Sequence, residues 1–210
     1  MISQRYAIFD MDGTLVDSMP YWRNILPEYL RRPIPDSYIQ QIAAMTVTDS
    51  IALTVQTFNL SKTPDTIFNE ICAIMHRHYI NDVNLKNGVA EYLKHLSSNG
   101  VRMCVASASP GALITAVLER FNLTDFFEFT CSTEDGFADK RNPDIYLFCA
   151  EKFQAFPHEV AVFEDSYSAI KTAAGANFPV IAVYDKTAEH HWQEIKQIAV
   201  QTKRDGFMIL

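Results

Sequence analysis

Five runs of apolar and β-branched residues mark the chain at strand length: YAIFD (6–10), VRMCVAS (101–107), FFEFTC (126–131), VAVFED (160–165) and PVIAVY (179–184). Each is bounded by turn residues or acids, the pattern of a buried strand. Helical patterns separate the last four. PGALITAVLERFNL has Pro110 in its first turn, NPDIYLFCAEKF has Pro143 there, and DSYSAIKTAAGA stops at Gly175. Proline suits a first helical turn and glycine a helix end. Alternation of this kind predicts an α/β fold: a doubly wound, Rossmann-like parallel sheet with helices on both faces.

Residues 16–86 break the alternation. SMPYWRNILPEYLRR, PDSYIQQIAAM, TDSIALTVQTFNL and TPDTIFNEICAIMHRHYI all carry helical periodicity. Pro27 should bend or split the first of these. Thr48, and Thr63 with Pro64, are expected starts for the third and fourth. The chain then returns through NLKNG to the sheet. The expected organisation is a discontinuous core, 1–15 with 87–210, and an inserted α-helical cap domain, 16–86, lying over the carboxyl ends of the strands.

Composition narrows the class. Of 210 residues, 48% are hydrophobic and 20% charged, as in an ordinary globular protein. The net charge of −7 and the lack of a basic run speak against nucleic-acid binding. Cys72, Cys104, Cys131 and Cys149 are scattered through apolar runs, with neither zinc spacing nor a disulfide framework, and read as buried free thiols of a reducing compartment. No run is long enough to cross a bilayer and the N-terminus enters a strand directly. A cytoplasmic monomer without membrane contact is expected.

Against this background DMDGTLVDS (10–18) stands out, because it sets Asp10, Asp12 and Asp17 directly after a buried strand. Such acids repel one another unless a cation neutralises them. A helix N-terminus capped by Asp17 or Ser18 is the plain alternative. Ligands of open parallel sheets bind beyond the carboxyl ends of the strands. The first strand delivers Asp10 and Asp12 there, and the second delivers Ser107, Ala108 and Ser109. The loop after the third carries Lys140, and the fourth ends in Glu164 and Asp165. Several carboxylates suit a hard cation such as magnesium, while a hydroxyl, a lysine and helix N-termini suit phosphate oxygens. Taken singly, Ser107 could be a helix cap, Lys140 a solvated loop residue, and Glu164 and Asp165 caps of the next helix.

DMDGTLVDS, the strand-ending Ser107, Lys140 within ADKRNPDIY, and FEDSYSAIKTAAGA together resemble the four motifs of the haloacid-dehalogenase-like superfamily. The helical insert after the first motif resembles its β-phosphoglucomutase-like, helical-cap subfamily. That resemblance implies a phosphatase acting on a small phosphate monoester, a sugar phosphate or similar metabolite. It makes Asp10 the nucleophile that forms an aspartyl-phosphate and Asp12 the acid/base. Mg2+ would be held by Asp10, Asp165 and the backbone carbonyl of Asp12, with Glu164 as a further metal partner, direct or indirect. Ser107 and the N–H groups of Met11, Asp12 and Ala108 would hold the phosphoryl oxygens, with Lys140 bridging to Asp10. Trp22, on the first helix of the insert, is either a packing residue or a substrate contact.

Three other readings use the same residues; the first, a dehalogenase of the same fold, is one that Asp12, the second acid of the pair, counts against. A phosphosugar mutase would need a basic clamp for a second phosphate, and in the mutases of this family the first cap helix supplies a histidine. Here DSMPYW puts Trp22 in the histidine's place and AAMTVTDS contains no arginine, although Lys62, Arg77 or Lys86 could substitute. A phospho-accepting signalling module also uses strand-end acids, a hydroxyl and a lysine, but does not call for the insert. His76 and His78, two apart on one helix, point in different directions and do not form a metal pair; His190 and His191 are expected on the surface.

Overall fold

The computed structural model describes residues 2–43 and 45–207; Met1, Ala44 of the second helical pattern, and 208–210 lie outside the described residues. The chain divides into two compact units, Met1–Met19 with Val83–Leu210, and Pro20–Asp82.

The first unit is built on six parallel strands: β1 (Tyr6–Phe9), β2 (Arg102–Ser107), β3 (Phe129–Ser132), β4 (Val160–Glu164), β5 (Val180–Val183) and β6 (Gln201–Lys203), in the order β3-β2-β1-β4-β5-β6. The order reverses at β1 and β4, where Phe9 is in register with Phe163 and Asp10 N–H donates to the Phe163 carbonyl at 2.9 Å. Ala7, Ile8 and Phe9 are fully buried because the sheet is covered on both faces. Ile8, Cys104 and Val162 face a cluster with residues of α7 (Asp144–Phe153), α8 (Tyr167–Gly175) and α9 (Trp192–Ile198). On the opposite face Phe9 stacks on Phe163 at 4.2 Å, and Phe163 meets Tyr92 of α5 (Val89–Ser98) edge-on. The remaining helix of this unit, α6 (Gly111–Arg120), follows β2.

The second unit holds α1 (Met19–Leu30, whose first residue belongs to the sheet unit), α2 (Asp36–Ala43), α3 (Val47–Phe58) and α4 (Pro64–Asn81). Pro27 lies inside α1 without ending it. Thr63 caps α4 with Pro64 in the first turn, whereas α3 is capped by Thr46 and not by Thr48. The Thr46 side chain accepts from Asp49 N–H at 3.1 Å and its hydroxyl donates to the Asp49 carboxylate at 2.7 Å.

The two crossings between units pair with each other. Val16 bridges Leu85, Lys86 N–H donates to Leu15 at 2.9 Å, and Asp17 N–H donates to Asn84 at 2.9 Å. These bonds hold 16–19 and 83–86 within the sheet unit, so the divisions fall at 19/20 and 82/83 where the sequence suggested 15/16 and 86/87. Pro110 and Pro143 sit one residue before their helices, at the N-cap. Of the cysteines, all free, Cys104, Cys131 and Cys149 are buried, but Cys72 on α4 is only half-buried.

Candidate active site

The residues singled out in the sequence from the sheet unit gather beyond the carboxyl ends of β1, β2 and β4. After Asp10 the chain turns sharply: the Met11 carbonyl accepts from the N–H groups of Thr14, Leu15 and Val16 at 2.9–3.3 Å. Gly13 carries φ +80°, and a Cβ there would lie 2.2 Å from the Asp165 carboxylate. Only glycine lets the first turn approach the end of β4 this closely.

Asp10, Glu164 and Asp165 are all buried, and each offers an oxygen within 4.8 Å of the others. Lys140, itself buried, reaches into this group from the loop before α7, with Nζ 2.5 Å from Asp10 Oδ1 and 2.6 Å from Glu164 Oε1. Glu164 is heavily bonded. Its Oε1 also accepts from Tyr146 OH at 3.0 Å, and its Oε2 accepts from the N–H groups of Asp165 and Ser166 at 3.0 and 3.1 Å. Burial raises the pKa of Asp10, Lys140 pulls it down, and the carboxylates of Glu164 and Asp12 raise it further; the net shift is upward. Asp165 is raised by burial and then by Glu164, Asp10 and Asp185. Burial opposes charge on Lys140, but its two carboxylate partners prevail and hold it as an ammonium.

If all three buried acids are to be ionised together, Lys140, bonded to Asp10 and Glu164, does not balance their charge, in line with the raised pKa of Asp10 and Asp165. A divalent cation with oxygen ligands fits that donor set.

Asp12 stands apart from the acidic group. Its carboxylate is held by hydroxyls, Ser18 Oγ to Oδ1 and Ser109 Oγ to Oδ2, both at 2.6 Å. Ser107 Oγ accepts from Ser109 N–H at 3.0 Å, so its own proton is not used in that bond. Among the described residues, the N–H groups of Met11 and Ala108 donate to no protein acceptor. Trp22 belongs to the helical unit, where its Nε1 donates to Tyr79 OH at 3.0 Å. His78 bonds two carboxylates of that unit; His190 is exposed as expected, but His191 is half-buried, stacked on Tyr167.

Three site residues have no role predicted from the sequence. Tyr146 fixes Glu164, and Ser18 and Ser109 fix Asp12. Ser18 lies in the motif already singled out, and Ser109 comes two residues after Ser107, so both are visible as hydroxyls. Nothing in the order of residues says that they converge on Asp12.

The chain is 24% identical over 174 residues to a phosphorylated carbohydrates phosphatase of Thermotoga maritima, covering 81% of this chain and 80% of that one. It is 27% identical over 207 residues to hexitol phosphatase B of Escherichia coli, covering 84% and 82%. Its fold is similar to CbbY from Rhodobacter sphaeroides, solved in complex with phosphate, with TM-score 0.80, 18% identity, and coverage of 97% of this chain and 95% of that one. Residues 7–183 match the family model of haloacid dehalogenase-like hydrolases, and the chain belongs to that family.

Proposed function

We propose that this protein is a magnesium-dependent phosphatase that hydrolyses a small phosphate monoester, a sugar phosphate or similar metabolite, through an aspartyl-phosphate on Asp10. One observation carries the reading. Two carboxylates separated by a single residue have different environments: Asp10 is buried against Lys140, and Asp12 accepts from two hydroxyls. Separate environments allow separate roles, nucleophile and acid/base.

In this mechanism an Asp10 oxygen attacks phosphorus while the P–O bond to the alcohol breaks, and the Asp12 carboxyl gives its proton to the departing oxygen. Asp12, now a carboxylate, takes a proton from water as that water attacks the aspartyl-phosphate. Inorganic phosphate leaves and Asp10 is regenerated. The Ser107 hydroxyl and the N–H groups of Met11, Asp12 and Ala108 receive the phosphoryl oxygens, and Lys140 keeps Asp10 oriented and its charge offset. Asp10, Asp165 and the main-chain carbonyl of Asp12 would hold Mg2+, which when bound supplies the missing positive charge to the acids and the phosphoryl group. Glu164 stands beside them, its oxygens already accepting four hydrogen bonds.

The relatives named for phosphorylated carbohydrates and hexitols support the substrate class. Trp22 is offered as a substrate contact through its ring face, since its N–H is bonded to Tyr79. The free cysteines agree with a cytoplasmic setting.

The test is a panel of small phosphate esters assayed with magnesium, including glucose 1-phosphate primed with a hexose bisphosphate. Phosphate release should dominate, and Asp10→Asn should abolish it while leaving the circular dichroism unchanged. Efficient interconversion of glucose phosphates would favour the mutase, and an active Asp10→Asn would remove the nucleophile.

A further inference from the structure

We propose that Ser109 is a positioning residue for leaving-group protonation, coupling the phosphate-binding hydroxyl of Ser107 to the Asp12 carboxyl; the inference rests on the phosphatase reading above.

Ser109 is 5% exposed and every polar atom that it offers is engaged. Its N–H donates to Ser107 Oγ at 3.0 Å, its carbonyl accepts from Ser132 Oγ at 2.9 Å, and its hydroxyl donates to Asp12 Oδ2 at 2.6 Å. Ser132 is in register with Ser107 across β2 and β3, so the strand ends themselves fix the Ser109 backbone. The consequence reaches two groups at once. With the Ser109 N–H directed at its oxygen, the Ser107 hydroxyl is oriented as a donor toward the phosphoryl group. With Ser109 on one oxygen and Ser18 on the other, the plane of the Asp12 carboxyl is set. An acid/base held in one plane relative to the phosphoryl site needs little reorganisation before it meets the leaving oxygen.

The geometry provides a clean perturbation. In Ser109→Ala the N–H and carbonyl bonds remain and only the bond to Asp12 is removed. Its effect should depend on the leaving group. A sugar or hexitol alkoxide needs a proton to depart, whereas p-nitrophenolate leaves without one. The value of kcat/KM reports the steps up to release of the alcohol, so slow hydrolysis of the aspartyl-phosphate does not mask the difference.

The experiment compares wild type, Ser109→Ala and Ser109→Thr on p-nitrophenyl phosphate and on the hexose or hexitol phosphate that wild type turns over fastest, in saturating magnesium. Ser109→Ala should lower kcat/KM for the sugar phosphate by about tenfold or more. The loss on p-nitrophenyl phosphate should be several-fold smaller, and Ser109→Thr, which keeps the hydroxyl, should recover most of the difference. Equal losses on both substrates, or no loss on the sugar phosphate, would overturn the inference. Asp10→Asn, run alongside, separates this from failure of the phosphatase reading: if that variant is inactive and the Ser109→Ala losses are equal, only the positioning role falls.

Discussion

Lys140 Nζ stands 2.5 Å from Asp10 Oδ1 with both groups buried, and the same ammonium bonds Glu164 at 2.6 Å. One lysine thereby restrains two carboxylates that would otherwise repel each other.

Replacing it should be severe. Lys140→Met leaves Asp10 and Glu164 without a cation, and losing one partner of a buried ion pair costs about 3–5 kcal/mol. Urea unfolding in the presence of a chelator should show a loss of that order. Turnover should fall by about a hundredfold or more, as when a preorganised charge is taken from a reaction site.

The close approach of Gly13 to Asp165 yields a second expectation. Gly13→Ala places a methyl 2.2 Å from the Asp165 carboxylate at a φ of +80°. The backbone alone resists by about 1–2 kcal/mol, and Asp165 must move. The magnesium concentration for half-maximal activity should rise, as read from activity titrations. An unchanged magnesium requirement would mean that Asp165 does not hold the ion.

Activity should vanish in a chelator and return with magnesium, whereas calcium should substitute poorly. Calcium takes more ligands in looser geometry and would disturb in-line alignment of Asp10 with the leaving oxygen. Undiminished phosphate release in excess chelator would take the metal out of the mechanism.

In the helical unit His78 is held between two carboxylates. His78 Nε2 meets Glu28 of α1 at 2.8 Å, and Nδ1 meets Asp82, the C-cap of α4, also at 2.8 Å. Only the imidazolium donates from both nitrogens. Burial works against the charged form, but the two carboxylates outweigh it and raise the pKa above 6.5. A folded-state value above the unfolded one means that the stabilisation is complete below about pH 6.5 and is lost as pH rises through the folded value. Urea midpoints of wild type should decline over that interval, and His78→Gln should flatten the decline. Parallel profiles would exclude His78 as its source.

Much of this molecule is legible in the order of its residues. The five apolar runs each contribute a strand; for the inner strands, burial on both faces demands apolar residues along the length, while the edge strand β3 is only partly buried. Their ends identify Asp10, Ser107, Lys140, Glu164 and Asp165 before any contact is known, since a parallel sheet brings the residues after each strand to one rim. The elements that escape have no local signal or a weak one. QTK, which forms β6, has no apolar alternation and is a strand only because β5 offers it an edge. The helix α5 is not among the predicted helices, although its buried Val89, Tyr92, Leu93 and Leu96 have helical spacing. The start of β3 moves to Phe129 because Thr124–Phe126 closes a 3-10 turn. Motif spacing proposes the acids and the lysine as a group. Tertiary structure alone determines that Tyr146 fixes Glu164, that Ser109 meets Asp12 and that Glu28 meets His78, whereas Ser18 with Asp12 and Asp82 with His78 are near neighbours along the chain. Residue type sets what a group can donate or accept, but which partner it meets depends on backbone segments far apart in the chain, fixed in register by the sheet and by helix packing.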